Sequence, residues 1–435
     1  MGDDGEMYSP LPDYLAEVLS SCSDPSGAMA DYIPELAKAD PDRFAISLVT
    51  AEGREYSVGD DDTEFSIQSI SKPFVYGLAL QKRGFATVLD AIDVEPSGEA
   101  FNEISLEHNT GRPLNPMINA GALAAHALVA EDNSPDTATE EIRKLFSSLA
   151  GRELGIDDAV AASELETSYR NVAIANLLRS YHVFRGDPAT VVDGYVRQCS
   201  VNVTTSDLAM MAATLASGGT HPRTGERVFS RPVVRQVLSV MATCGMYDAA
   251  GDWLSSVGIP AKSGVSGGII GILPGQLGIA VYSPRLDQHG NSVRGVAAFE
   301  RLSHDMNLHL MEAPMVAHSV LRRRAVLGEG PAAFTFLELH GDIQFTNAEG
   351  VVRALIDEPV TTAQVAFDLT LVRAVLPVGR RMLLEVFRRL HIDGIRVGVV
   401  DPDNHLPDPA SRDGYRPEVF ATFSDLRRNF LASNV

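Results

Sequence analysis

Apolar and polar positions along the chain follow two rhythms, one of period two and one of helical period. Phe44 to Ser57 reads as a strand pair: "FAISLVT", a turn at Ala51-Glu52-Gly53-Arg54, then "EYSVG". From Ser69 to about Gly84 the apolar residues fall at helical spacing, and Gly84 supplies a stop. Residues 13–39 read as helices broken near Ser23 to Gly27, and further helices are predicted over Thr139 to Leu149 and Tyr169 to Phe184. In "TTSDLAMMAATLASGG", Thr205 or Ser206 is expected to cap a helix that ends at Gly218-Gly219. After Ala261 come the apolar, glycine-rich segments "GGIIGILP", "LGIAVYSP" and "RGVAAFERL", read as strands, and a helix from about Ser303 to Leu321. Strands therefore lie at both ends of the first 320 residues with helices between them, which predicts one sheet assembled from both ends and covered by helices.

The rhythm changes near Arg322-Arg323-Arg324 and "LGEGPAA", read as a solvated helix end and a junction. Beyond it "AFTFLELHG" and "DIQFTN" read as strands and "NAEGVVRALIDE" as a helix. "AQVAFDLT" is a strand, "VGRRMLLEVFRRLH" a helix, "GIRVGVVDP" a strand and "SDLRRNFLA" a helix. This alternation predicts a small α/β domain with a largely parallel sheet. The expected division is 1–325 and 326–435, within an α/β fold class overall.

A length of 435 residues accommodates two or three domains, and 45% hydrophobic with 21% charged residues is a globular composition. The net charge of −21 speaks against nucleic acid or an anionic membrane as partner. Three widely spaced cysteines, Cys22, Cys199 and Cys244, predict buried thiols in a reducing compartment. The acidic start lacks a secretory pattern, and Gly264 to Tyr282 is too broken by Gly and Pro for a membrane helix, so a cytoplasmic location is expected. No H-E-x-x-H, C-x-x-C, Walker A or G-x-G-x-x-G suggests a metal or cofactor, and none is expected.

Only five lysines occur, Lys38, Lys72, Lys82, Lys144 and Lys262, which sharpens two motifs. In "FSIQSISKPF", Ser69 and Lys72 are three apart on a predicted helix start, so Oγ and Nζ share a face. A serine needs a base to become a nucleophile, and a lysine serves if burial or nearby charge lowers its pKa. The helix start adds a backbone N–H and a dipole for a developing oxyanion. S-x-x-K alone is short and is most often a solvated helix turn. In "PAKSGVSGG", Lys262-Ser263-Gly264 enters a glycine-rich strand of the kind that lines such sites opposite the nucleophile. Read without it, the segment is an edge strand with glycine for close packing.

The chain resembles the bacterial-type glutaminase family. The likeness rests on "ADYIPELAKADPDRF", "FSIQSISKPF", "PLNPMINAGAL", "SELETSYRNVAIANLL", "YVRQCSVNV", "TLASGGTHPRTGERV", "MATCGMYDAAGDW" and "PAKSGVSGGIIGILPG", in family order over about residues 28 to 310. The resemblance implies a β-lactamase/transpeptidase-like sheet flanked by helices plus a helical subdomain, and hydrolysis of L-glutamine to L-glutamate and ammonia. It implies Ser69 as nucleophile, Lys72 as base partner and Tyr247 as a sharer of the proton. The N–H groups of Ser69 and Val265 would form the oxyanion hole, and Tyr32 would close over the amide end. Asn119, Glu164, Asn171 and Tyr195 would hold the amino acid head group, and a homo-oligomer, dimer or tetramer, is expected. Chemically, one carboxylate with amides and phenols beside it suits a zwitterion. Glu164 and Asn171 lie seven apart, so a continuous helix would align them. Read structurally, Glu164 is a favourable acid at a helix start and Asn119 a turn residue.

Residues 333–433 resemble a STAS domain, through "VAFDLTLVRAVLPVGRRMLLEVFRRL" and "GIRVGVVDP". The turn that carries a phosphorylatable residue in that family reads Leu376-Pro377-Val378-Gly379 here, which speaks against a phospho-switch at that position; the resemblance implies a regulatory or oligomerising module. Two other readings stay open: a different S-x-x-K hydrolase of penicillin-interacting or esterase-like type, and a non-catalytic regulator acting through the C-terminal domain.

Overall fold

The computed structural model describes residues 9–98, 103–129, 135–312 and 320–432. It divides into two compact units, Leu15–Arg301 and Leu302–Val435 together with Met1–Tyr14.

In the first unit, strand Ala45–Thr50 pairs antiparallel with Glu55–Gly59 on one side and with Leu277–Tyr282 on the other. The five-stranded sheet continues through Gly268–Leu273 to Ala261–Ser263. The hairpin from the start of the unit is thus completed by strands from its far end, as the strand pattern predicts. Every residue of Ala45–Thr50, Gly268–Leu273 and Leu277–Tyr282 is buried, so helices must cover both faces. Helix Thr205–Ala216 packs on this sheet at backbone distance. Gly278 permits it, because a Cβ there would stand 2.3 Å from the Ala213 nitrogen.

The main apolar core includes Phe74, Ala124, Phe146, Met211 and Val237. Phe74 and Phe146 meet edge to face at 6.2 Å, and burying one such ring contributes roughly 2–3 kcal/mol. A second core, around Leu123, Ile174, Leu178 and Val192, belongs to a helical group made of Asn119–Val129, Tyr169–Ser180 and Pro188–Cys199.

In the second unit, Arg396–Val400 pairs in parallel with Glu418–Phe420 and with Gln364–Val375, which pairs in parallel with Phe334–Ile343. Leu321–Leu327 adds an antiparallel edge. Helices Phe345–Asp357, Pro377–Ile392 and Phe423–Ala432 follow strands in turn, the alternation the sequence predicts.

Several local expectations are corrected. "RGVAAFERL" lies in helix Val293–Met306, with Ala298, Phe299, Leu302 and Met306 buried. A short apolar run does not by itself separate strand from helix. The helix expected up to Leu321 therefore ends at Met306, and residues 313–319 lie outside the described residues. Arg322, Arg323 and Arg324 sit in an edge strand rather than a helix end, where charge guards an open edge. "AFTFLELHG" and the start of "DIQFTN" form one strand, Phe334–Ile343. The cap of helix Thr205–Ala216 is Thr204, in a capping box with Asp207.

Candidate active site

The helix carrying the S-x-x-K motif has a 3-10 turn, Gln68–Ile70, at its head, followed by Ser71–Ala91. Gly84, at φ 79°, bends it where the sequence predicts an end. Ser69 therefore sits in the first turn, with Lys72 one turn on. Gln68, just before Ser69, has φ 49°, and Tyr247 has φ 57°. Left-handed backbone is uncommon for such residues and costs on the order of 1 kcal/mol or more each. Two strained residues thus flank the hydroxyl.

Ser69 and Lys72 are buried, at 6% and 1% exposure. Burial, the largest cause, brings the Lys72 amine down to about 8, against the opposing pull of Cys199 and Glu164. Its Nζ donates to Asn119 Oδ1 at 2.7 Å and to the Met117 carbonyl at 3.2 Å. The Tyr247 hydroxyl donates to the Ser263 carbonyl at 3.1 Å and is also hydrogen-bonded to Ser69. With its own proton on Ser263, the phenol oxygen is left to accept from Ser69. Burial pushes Tyr247 up to about 12, so it stays protonated at rest.

Asn119 is a hub at the start of helix Asn119–Val129, not a turn residue. Its Oδ1 also accepts from the Tyr195 hydroxyl at 3.4 Å, and its Nδ2 donates to Asn171 Oδ1 at 2.9 Å. Glu164 and Asn171 come together, but not on the continuous helix expected. Asp158–Thr167 ends at Ser168, whose hydroxyl donates to the Glu164 carbonyl at 2.7 Å, and Tyr169–Ser180 begins anew. Glu164 accordingly lies in the second half of its helix. Its carboxylate accepts from Gln68 Nε2 at 3.0 Å, and burial raises it to about 7, opposed by that bond and by Lys72.

These groups line one cavity of about 120 Å³, formed by Tyr32, Ile33, Gln68, Ser69, Asn119, Glu164, Thr167, Ser168, Arg170, Asn171, Tyr195 and Val265. The size suits an amino acid rather than a drug-sized ligand. Tyr32 is half exposed at its rim. Val265 sits in a tight turn closed by the Gly267 N–H donating to the Gly264 carbonyl at 2.9 Å. Lys72 and Tyr247 stand behind Ser69 without lining this cavity. A larger cavity, about 290 Å³, adjoins Tyr247 and is lined by Ser97, Met117, Thr243, Cys244, Asp248 and Leu254, but Ser69 does not reach it.

Sequence reasoning missed Gln68, which braces Glu164, although it stands next to Ser69 in the same motif. It also missed a buried chain: His126 Nδ1 to Gln198 Oε1 at 2.9 Å, and Gln198 Nε2 to Ser71 Oγ at 3.0 Å. Burial holds His126 down to about 4, so the ring is neutral, and with the Gln198 amide nitrogen turned to Ser71 its Oε1 accepts from the His126 Nδ1–H. The chain ties the helix of Tyr195 to the helix of Lys72. Nothing in spacing or composition marks it. Among the described residues there is no grouping of three or more His, Cys, Asp or Glu able to hold a metal, and no helix is long and apolar enough to cross a membrane.

The model of the family described as "Glutaminase" matches residues 27–311. A glutaminase of Corynebacterium glutamicum is 51% identical over 408 residues, covering 93% of this chain and 97% of its own. A glutaminase of Corynebacterium efficiens is 48% identical over 413 residues, 94% and 97% of the two chains. The likeness to both therefore continues past the family segment into the C-terminal unit. Among solved structures, Mglu in its glutamate form superposes with a TM-score of 0.70 at 45% identity, over 92% of this chain and all of the other. A probable glutaminase gives 0.68 at 37% identity over 72% of this chain.

Proposed function

This chain belongs to the glutaminase family, and we propose that it hydrolyses L-glutamine to L-glutamate and ammonia through an acyl-enzyme on Ser69. The observation that carries this reading is one cavity of amino-acid size lined by Ser69 together with Glu164, Asn119, Asn171 and Tyr195. The substrate's ammonium is placed on the Glu164 carboxylate, and its carboxylate on the amide and phenol donors. The side-chain amide then reaches Ser69, with Tyr32 over it.

Lys72, at about 8, is neutral in a useful fraction at neutral to mildly alkaline pH. It draws the proton from Ser69 either directly or through the Tyr247 oxygen that Ser69 already meets. The carbonyl oxygen collects charge against the N–H groups of Ser69 and Val265. The same proton goes to the departing amine, so ammonia leaves and a glutamyl ester remains on Ser69. Water attacks the ester, the Lys72–Tyr247 pair takes its proton and returns it to the Ser69 oxygen as the acyl bond breaks, and glutamate departs. The order of bonds is one acyl bond to nitrogen exchanged for one to serine oxygen, then for one to water oxygen.

The test is ammonia release from glutamine by the full chain and by Ser69→Ala. The reading expects loss of activity with substrate binding retained, and residual turnover near wild type contradicts it.

The fold implied is the β-lactamase-like one, supported by the five-stranded antiparallel sheet and by Ser69 in the 3-10 turn that heads helix Ser71–Ala91 and packs against strands Ala261–Ser263 and Gly268–Leu273. For the C-terminal unit we read a STAS-like regulatory or assembling module, whose sheet takes in the edge strand Leu321–Leu327 across the boundary expected at 325. Its support is the parallel sheet with helix Pro377–Ile392 directly after the Leu376 turn. A cytoplasmic homo-oligomer without cofactor completes the reading.

A further inference from the structure

Lys262 opens the K-S-G strand and has no part in the chemistry above. It is one of five lysines in the chain and is wholly buried. Interior lysines are rare because an ammonium loses its hydration there. Strand Ala261–Ser263 fixes its backbone, with Lys262 opposite Ile270. Its Nζ donates to the Ser263 carbonyl at 2.8 Å, the same oxygen that accepts the Tyr247 hydroxyl at 3.1 Å. Nζ also stands 4.1 Å from the centroid of the Tyr247 ring. Lys262 does not line the cavity that holds Ser69.

The titratable groups that face it are Lys72, Cys199 and Cys244, with the Tyr247 phenol beneath, and none is a carboxylate. Burial first, and the like charge of Lys72 second, hold its amine well below lysine's usual range. The site therefore disfavours the charged form of this side chain.

We propose that Lys262 is a positioning residue for Tyr247: by packing on the phenol ring and sharing the Ser263 carbonyl with its hydroxyl, it keeps the phenol oxygen turned toward Ser69. The Ser263 carbonyl takes the phenol proton, which leaves a lone pair for the Ser69 hydroxyl. Lys262 steadies both partners of that bond. Burial and the neighbouring Lys72 both act against a full positive charge at this position. The inference rests on the reading that Tyr247 shares the Ser69 proton.

The experiment uses the full chain with Lys262→Met, Lys262→Gln, Lys262→Arg, Tyr247→Phe and the double variant Lys262→Met/Tyr247→Phe. Folding is checked by circular dichroism, and kcat and KM for glutamine are measured. Lys262→Met is expected to lower kcat about 10- to 100-fold while KM moves less than about 3-fold, since the group acts on proton transfer and not on binding. Lys262→Arg is expected to fall below Lys262→Met, because a guanidinium cannot shed its charge beside Lys72, whereas a hydrogen-bonding role alone would rank Arg above Met. In the Tyr247→Phe background, Lys262→Met is expected to cost little more. If Lys262→Met does not fold, Lys262→Gln takes its place in the cycle. A folded variant without the amine that keeps wild-type kcat, or a loss undiminished in Tyr247→Phe, overturns the proposal. Full activity in Tyr247→Phe alone defeats the reading of Tyr247 instead, and so separates the two failures.

Discussion

On the proposed mechanism, the pH dependence of kcat/KM follows from two buried groups that both act deprotonated, Glu164 as an anion and Lys72 as a neutral amine. Glu164 must be ionised to receive an ammonium, and burial raises its carboxyl to about 7. Lys72 must be neutral to take a proton, and burial lowers its amine to about 8. Each productive form is the deprotonated one, so activity rises with pH through both values, while Tyr247, at about 12, keeps its proton. At pH 6 about one tenth of Glu164 is ionised and about one hundredth of Lys72 is neutral. At pH 8 these fractions are about nine tenths and one half. Their products differ by about 500-fold, with a log–log slope near two below pH 7. Glu164→Gln removes one of the two titrations. Its slope is expected to fall to about one, and the change from pH 6 to 8 to about 50-fold. At pH 8 the lost charge on the ammonium contact costs about 2 kcal/mol, roughly a 30-fold drop. The assay is initial-rate ammonia release at substrate well below KM. A wild-type profile that is flat from pH 6 to 8, or a Glu164→Gln profile as steep as wild type, refutes the assignment.

Tyr32→Ala opens the half-exposed rim and is expected to raise KM roughly 10-fold or more with a smaller change in kcat, read from steady-state kinetics. Gly121→Ala puts a Cβ 2.0 Å from the Asn115 carbonyl, in the segment that presents Met117 and Asn119 to Lys72. It is expected to cost about 2–4 kcal/mol, seen as a lowered midpoint in thermal unfolding. A chain ending at Leu310 is expected to lose either the native assembly state or part of its activity, measured by light scattering and ammonia release. Both retained in full would remove the regulatory reading of the C-terminal unit.

The sheet was legible because Phe44 to Ser57 and the segments after Ala261 carry turn glycines and apolar runs of strand length, and the structure joins them. "RGVAAFERL" fits either period because four apolar residues stand in a short run, and the burial of Ala298, Phe299, Leu302 and Met306, with Phe299 5.2 Å from Trp253, goes with the helix. Ser69, Glu164, Asn119, Asn171, Tyr195, Tyr32 and Val265 share one cavity, as the family likeness implies. Their spacing could not show this. The break at Ser168 turns Asn171 by a bend that a continuous helix would not make, and Asn119 reaches Lys72 from a separate helix. Gln68 and the His126–Gln198–Ser71 chain stayed hidden because a buried hydrogen bond leaves no periodic trace in sequence.

The account stands on a covalent intermediate at one hydroxyl. Acid quench of the full chain during turnover of glutamine, followed by intact-mass and peptide mass spectrometry, tests it most directly. The expected result is a fraction of the protein heavier by one glutamyl group, with the added mass on the peptide that contains Ser69 and none in Ser69→Ala. An adduct on another residue, or rapid turnover by Ser69→Ala with no adduct anywhere, contradicts it.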